Sequence, residues 1–252
     1  MKPHGKATVS SFATLTIVVL ASMTAYGQEN PRPLDDWNYA ALYEQGGLRA
    51  EALLDAKAMS AEGEAIGEVS NVILNEENKI VTLVAEVGGM WDSGDRHVSI
   101  PWDEVELTEK GVRVPVRRDN IQEYDLFNDD YVDEAYLSKG ELEQTTQIES
   151  DVMTGPRIWK ITDITDEFVS VGKDTGLGYV TDALFTRDGL LQAIVVEPSN
   201  SEFGNGPRAY PFYGYSDDWQ PGSPKYELPY SKEAIQDLPT FDYDQYDTLW
   251  NE

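Results

Sequence analysis

Residues 67–85 read GEVSNVILNEENKIVTLVA, and residues 178–196 read GYVTDALFTRDGLLQAIVV. Laid over one another without a gap, at an offset of 111 (Gly67 onto Gly178), they place Val69 on Val180, Ile73 on Leu184 and Ile80 on Leu191. Leu83 then falls on Ile194 and Val84 on Val195, and the turn pairs Glu77-Asn78 and Asp188-Gly189 coincide. Branched apolar residues on both sides of a short turn read as a β-hairpin. A second match follows at an offset of 114, with Val114-Pro115-Val116 on Leu228-Pro229-Tyr230 and Ile121-Gln122-Glu123 on Ile235-Gln236-Asp237. Phe127 falls on Phe241 in the same frame. Two matching blocks in one order predict a duplicated unit.

Working outward, 98–100 and 112–116 read as shorter strands, and 117–123 as a helical turn or two. The stretch 52–59 (ALLDAKAM) is ambiguous by pattern and is placed as a strand because a small closed sheet needs a partner there. A unit of about 80 residues buries only about 60% of its unfolded surface, so closure that removes exposed strand edges would help it. The expected fold is all-β: two small six-stranded barrels in tandem with short helical segments. The first occupies 50–127 and the second 157–252, ending in an acidic-aromatic tail. Between them, 128–156 reads as a linker with a short helix expected at 133–142. Residues 28–49, opened by Pro31 and Pro33, read as a loose arm.

The run Gly63-Glu64-Ala65-Ile66-Gly67-Glu68-Val69, the hairpin, Val87-Gly88-Gly89-Met90-Trp91, Gly94 and Val98-Ser99-Ile100-Pro101 together resemble a PRC-barrel domain. Val114-Pro115-Val116 and, in the second copy, Leu238-Pro239-Thr240-Phe241 fit that family's ending. The second copy departs in its middle, with Ser199-Asn200 where the first has Gly88-Gly89, then Phe203-Gly204-Asn205-Gly206-Pro207 and a long loop over 213–225. The resemblance implies a six-stranded barrel used as a non-enzymatic interaction or assembly module.

Lys2 and Lys6, the apolar run FATLTIVVLA at 12–21 and the small residues of Ala25-Tyr26-Gly27 form the three parts of an export signal spanning 1–27. Ten residues make a helix of roughly 15 Å, about half a bilayer core, so removal is expected over membrane anchoring. The chain is then exported, periplasmic or extracellular. The formal net charge of −27 repels nucleic-acid phosphates and anionic lipid heads, so neither is expected as a partner. With no cysteine there is no disulfide, and burial must hold the protein together.

Gly89 and Gly94 have phosphate-loop spacing, but Asp95-Arg96 follows where lysine and a hydroxyl residue are needed, so Gly88 and Gly89 are read as a turn or bulge with positive φ. His97, alone after the signal, lies on the strand face opposite Val98 and cannot build a zinc site without cysteine. Ser93 has no nucleophile-elbow glycine two residues before it. Asp125, Asp129, Asp130, Asp133 and Glu134, with Asp242, Asp244 and Asp247, offer calcium-type oxygens but lack the ordered loop and its glycine. Interleaved Tyr124, Phe127, Tyr131 and Tyr136, and later Phe241, Tyr243, Tyr246 and Trp250, read instead as rings packed on a barrel wall. No metal, cofactor or catalytic residue is assigned; a calcium-responsive protein is the alternative, and an unrecognised hydrolase a weaker one. Trp91, Tyr213, Tyr215 and Trp219 are the interface candidates, because exposed aromatics often anchor interfaces. The expected partner is another protein, an envelope assembly or a second copy of the chain.

Overall fold

The computed structural model describes Leu34, residues 36–88, 96–124, 158–172, 175–214 and 225–250, together with Trp219 and Ser223 and the backbone of two short paired strands at 146–147 and 153–154. The hairpins are the longest elements. In the first half β3 (Ala65–Asn75) turns into β4 (Ile80–Val87), and in the second β12 (Thr175–Phe185) turns into β13 (Leu191–Pro198). Both turns need a left-handed residue at the same place, supplied by Asn78 (φ 60°) and Gly189 (φ 87°). Register shifts recur at matching sites, between Val69/Asn71 and Ile73/Leu74 and between Val180/Asp182 and Leu184/Phe185.

Around each hairpin a sheet of the same order forms. The first runs β5 (Arg96–Pro101), β4, β3, β2 (Lys57–Met59), β7 (Gly111–Arg113), β6 (Glu106–Thr108). The second runs β14 (Arg208–Pro211), β13, β12, β11 (Phe168–Val171), β15 (Tyr226–Leu228). In both, the single parallel step lies at the same place, β2 beside β7 and β11 beside β15. The molecule is therefore mostly β with two sheets, as expected. Among the described residues, however, no ladder joins the outer strands of either sheet.

Two expectations about the first half are corrected. Ala50–Leu54 forms a short helix, α2, and only Lys57–Met59 of the 52–59 stretch is strand. Ala, Glu and Leu favour helix, and the turn buries Ala50 and Leu53 while Glu51 faces water. The described part of the arm is also docked. Asn38 caps α1 (Tyr39–Gln45) by accepting the Ala40 N–H, and Leu34, Tyr39 and Leu42 are buried. Trp37 Nε1 donates to the Ala209 carbonyl (2.9 Å), and the Ala209 N–H donates to the Tyr39 hydroxyl (3.1 Å). Both outward groups of that edge-strand residue are thus occupied, which protects an otherwise open edge.

The sheets exchange strands. β1 (Leu48–Arg49) immediately precedes α2 in the first half, yet it pairs with β12 of the second sheet, Leu48 opposite Phe185 and Arg49 opposite Leu184. β10 (Ile158–Lys160) precedes β11, yet it pairs with β3 of the first sheet, Trp159 opposite Leu74 and Lys160 opposite Ile73. The repeat offset carries one set of pairs onto the other. At the hairpin tips Lys79 bridges Leu190, the Ile80 N–H donates to the Gly189 carbonyl and the Leu191 N–H to the Asn78 carbonyl, both at 2.9 Å. One continuous apolar core results, from Val69, Leu83 and Val98 to Val180, Ile194 and Tyr210.

Candidate interaction site

At the junction, β1 delivers a charge into the second sheet. The Arg49 Nε donates to Asp182 Oδ2 at 2.7 Å, and the Asp182 side chain is wholly buried. Asp182 Oδ1 accepts the Ala183 N–H (2.8 Å) and the Glu51 N–H (3.2 Å), so the carboxylate fastens both the β12 bulge and the start of α2. Burial pushes the Asp182 carboxyl above the usual carboxylate range, against the pull of Arg49 and the two amides. The guanidinium lies 4.4 Å from the centre of the Tyr243 ring and also meets Glu51 at the surface. At the matching position of the first sheet stands Asn71, whose Oδ1 accepts the Val72 N–H (3.0 Å) and whose amide donates to Thr162. There the incoming cation, Lys160, meets Asp163 on its own segment (3.9 Å).

The C-terminal tail straps this junction. The Gly47 N–H donates to the Asp247 carbonyl, the Tyr246 hydroxyl to the Phe185 carbonyl, and Trp250 Nε1 to the Thr108 carbonyl (2.8 Å). Phe241 and Tyr246 are buried, and Tyr243 and Trp250 pack partly buried against the core, the arrangement expected for this tail. Its carboxylates have local duties: Asp242 accepts from Asp244 N–H and Gln245 Nε2, and Asp247 meets Arg187 at 3.1 Å. The first acidic-aromatic segment, from 125 onward, lies outside the described residues.

The interface candidates separate. Trp91 and Tyr215 lie outside the described residues, as does Ser93. Trp219 is buried (5% exposed), edge-on to Trp159 at 5.0 Å and to Phe212 at 5.6 Å, so its reading as a surface anchor is corrected. Tyr213 is half-buried against the same core. His97 faces Glu86 across the ladder at 3.8 Å, half-buried, as a cross-strand pair. Gly88 ends the hairpin, its N–H reaching the Ile66 carbonyl at 3.3 Å, and Gly89 and Gly94 lie outside the described residues.

Sequence reading missed one row on the second sheet. Phe168, Tyr179 and Glu197 lie abreast on three adjacent strands. Tyr179 is 50% exposed, and the Phe168 ring meets it edge-on at 5.5 Å. At the equivalent register the first sheet carries Lys57, Glu68 and Glu86. The two repeats thus place an aromatic pair and a charged pair in the same frame, a contrast available from the alignment alone.

No helix among the described residues is long and apolar enough to cross a membrane. No curated protein matches the chain. The family model described as "PRC-barrel domain" matches residues 46–121, a span that takes in the exchanged strand β1 along with β2 to β7 of the first sheet. Residues 46–121 of this chain form a PRC-barrel domain.

Proposed function

We propose that the protein is an exported, non-enzymatic binding or assembly module in which a second PRC-like barrel, over 157–252, is fused to the first. The observation that carries this reading is the reciprocal exchange of β1 and β10, which locks the two sheets into one rigid presenting surface. A second sheet with the same order, parallel step and bulges supports the tandem assignment. A structural duty for the buried ionisable groups supports a non-catalytic role: Asp182 with Arg49, and Asp163 with Lys160, hold strands and turns. The three-part pattern at 1–27 supports export.

The test is capture from the exported fraction with the full chain as bait, alongside N-terminal sequencing of the mature protein. A saturable partner and a new terminus at Gln28 are expected. Turnover in a broad hydrolase screen that disappears with His97→Ala would replace this reading with an enzymatic one.

A further inference from the structure

We propose that the Phe168–Tyr179–Glu197 row is a docking platform for a lysine- or arginine-bearing segment of a partner protein; this rests on the binding-module reading above. The row sits on the outer face of the second sheet. Tyr179 leaves half its surface to water, and Phe168 closes one side of it edge-on. The platform is shaped by a glycine: a Cβ on Gly176 would come within 2.7 Å of Phe168 Cζ, so the tip of the ring takes the space a side chain would need. Glu197 is exposed directly across from Tyr179, and Glu167 precedes Phe168 in the chain, its Oε1 accepting the Phe168 N–H at 3.1 Å.

A half-exposed ring beside an exposed carboxylate suits a cation. The ring quadrupole attracts an ammonium or guanidinium over its face, and the Glu197 carboxylate takes the N–H groups. The overall charge of −27 draws basic partners to the surface and repels acidic ones. The first sheet shows that the fold does not require this row. It fills the same places with Lys57 and Glu68, and retains the acid, Glu86 for Glu197. Two rings in place of a lysine and a glutamate, with the neighbouring acid kept, set an exposed carboxylate beside a half-exposed ring. A partner's basic side chain would meet both.

The experiment is fluorescence anisotropy of a labelled lysine- and arginine-bearing peptide against the full chain. The decisive variant is Phe168→Lys with Tyr179→Glu, which copies the first sheet's own pair and leaves the net charge unchanged. Saturable binding by the unaltered protein, weakened about tenfold or more in that variant and also in Glu197→Gln, is expected. Tyr179→Phe, which keeps the ring, stays within about threefold. Equal binding by the charge-neutral swap would show attraction by bulk charge and overturn the platform, as would the absence of saturable binding. Preferential binding of a neutral glycan sensitive to Tyr179→Ala would replace the basic segment with a stacked sugar. If capture from the exported fraction succeeds equally with the swap variant, the module reading stands and the platform falls. If peptide binding is swap-sensitive while no partner is ever captured, the reverse holds.

Discussion

Removing one member of the Arg49–Asp182 pair should weaken the protein far more than removing both. Asp182→Ala takes away a wholly buried carboxylate that holds Arg49 at 2.7 Å and two backbone amides. The guanidinium left behind is 16% exposed and keeps only Glu51 and the Tyr243 ring. Breaking a buried pair costs about 3–5 kcal/mol, and the partial exposure of Arg49 places this one near the lower end, about 3 kcal/mol. For a protein of this size that is roughly 6–12 °C in melting temperature. Arg49→Met leaves an unpaired buried carboxylate and should cost about 2–3 kcal/mol at neutral pH. The double variant should lie within about 1.5 kcal/mol of the unaltered protein, giving a coupling of at least about 2 kcal/mol.

The pH dependence follows from the direction of the Asp182 shift. Its folded pKa is raised by burial, so its stabilising share is full below the unfolded value near 3.9 and is lost as pH rises through the folded value. Arg49→Met removes the cation that restrains that rise. Its deficit against the unaltered protein should therefore grow as pH rises above the unfolded value, as the carboxyl ionises. Urea denaturation followed by circular dichroism measures each variant, with an unchanged slope reporting an intact native state. Each should show one transition, because β1 and β10 tie the two sheets together. A single-variant loss below about 0.5 kcal/mol, or additive single losses in the double variant, would refute the argument that this pair clasps the halves.

Gly47→Ala should cost about 3 kcal/mol or more, read from the urea midpoint, since its Cβ would sit 1.8 Å from the Phe185 carbonyl oxygen and 2.6 Å from the Tyr246 hydroxyl. Arg208→Val places in β14 the residue that the first sheet has at Val98. Arg208 is 7% exposed and donates to the Leu238 (3.0 Å) and Gly206 (3.4 Å) carbonyls, so losing those donors should cost about 1–2 kcal/mol by thermal melting, and a gain would show that the arginine serves no structural purpose. Millimolar calcium should leave the melting temperature within about 1 °C, because Asp242 and Asp247 already serve a cap and an ion pair; a rise of several degrees would restore the cation-responsive reading.

The hairpins were legible because period-two apolar residues and a left-handed turn position survive in both copies, down to Asn78 and Gly189. Ala50–Leu54 was not, since so short a stretch of mostly apolar residues fits a buried strand or a helical turn equally. β6 escaped because Glu106–Thr108 is too short and polar to alternate visibly. Trp219 looked exposed amid Pro, Gly and Asp, but its partners Trp159 and Phe212 come from other strands, and local composition carries no record of them. The row at Phe168 and Tyr179 could have been found by comparing the repeats for disagreement instead of agreement.

The exchange itself lies beyond any pattern along the chain. Leu48 and Trp159 are buried in the observed pairing, and each would be equally apolar in a strand returning to its own sheet. Alternation reports which side chains are covered, not by which sheet. Once the exchange is known, the repeat becomes a control experiment within one molecule. Where both halves agree, in the bulges, the tips and the crossing strands, the residues answer to the fold. Where they differ at one register position, the fold has been shown to accept either choice. Lys57 and Glu68 against Phe168 and Tyr179, and Val98 against Arg208, are such places. Exchanging residues between halves at those positions therefore separates function from folding more cleanly than alanine would, because each replacement already has a working precedent on the other sheet.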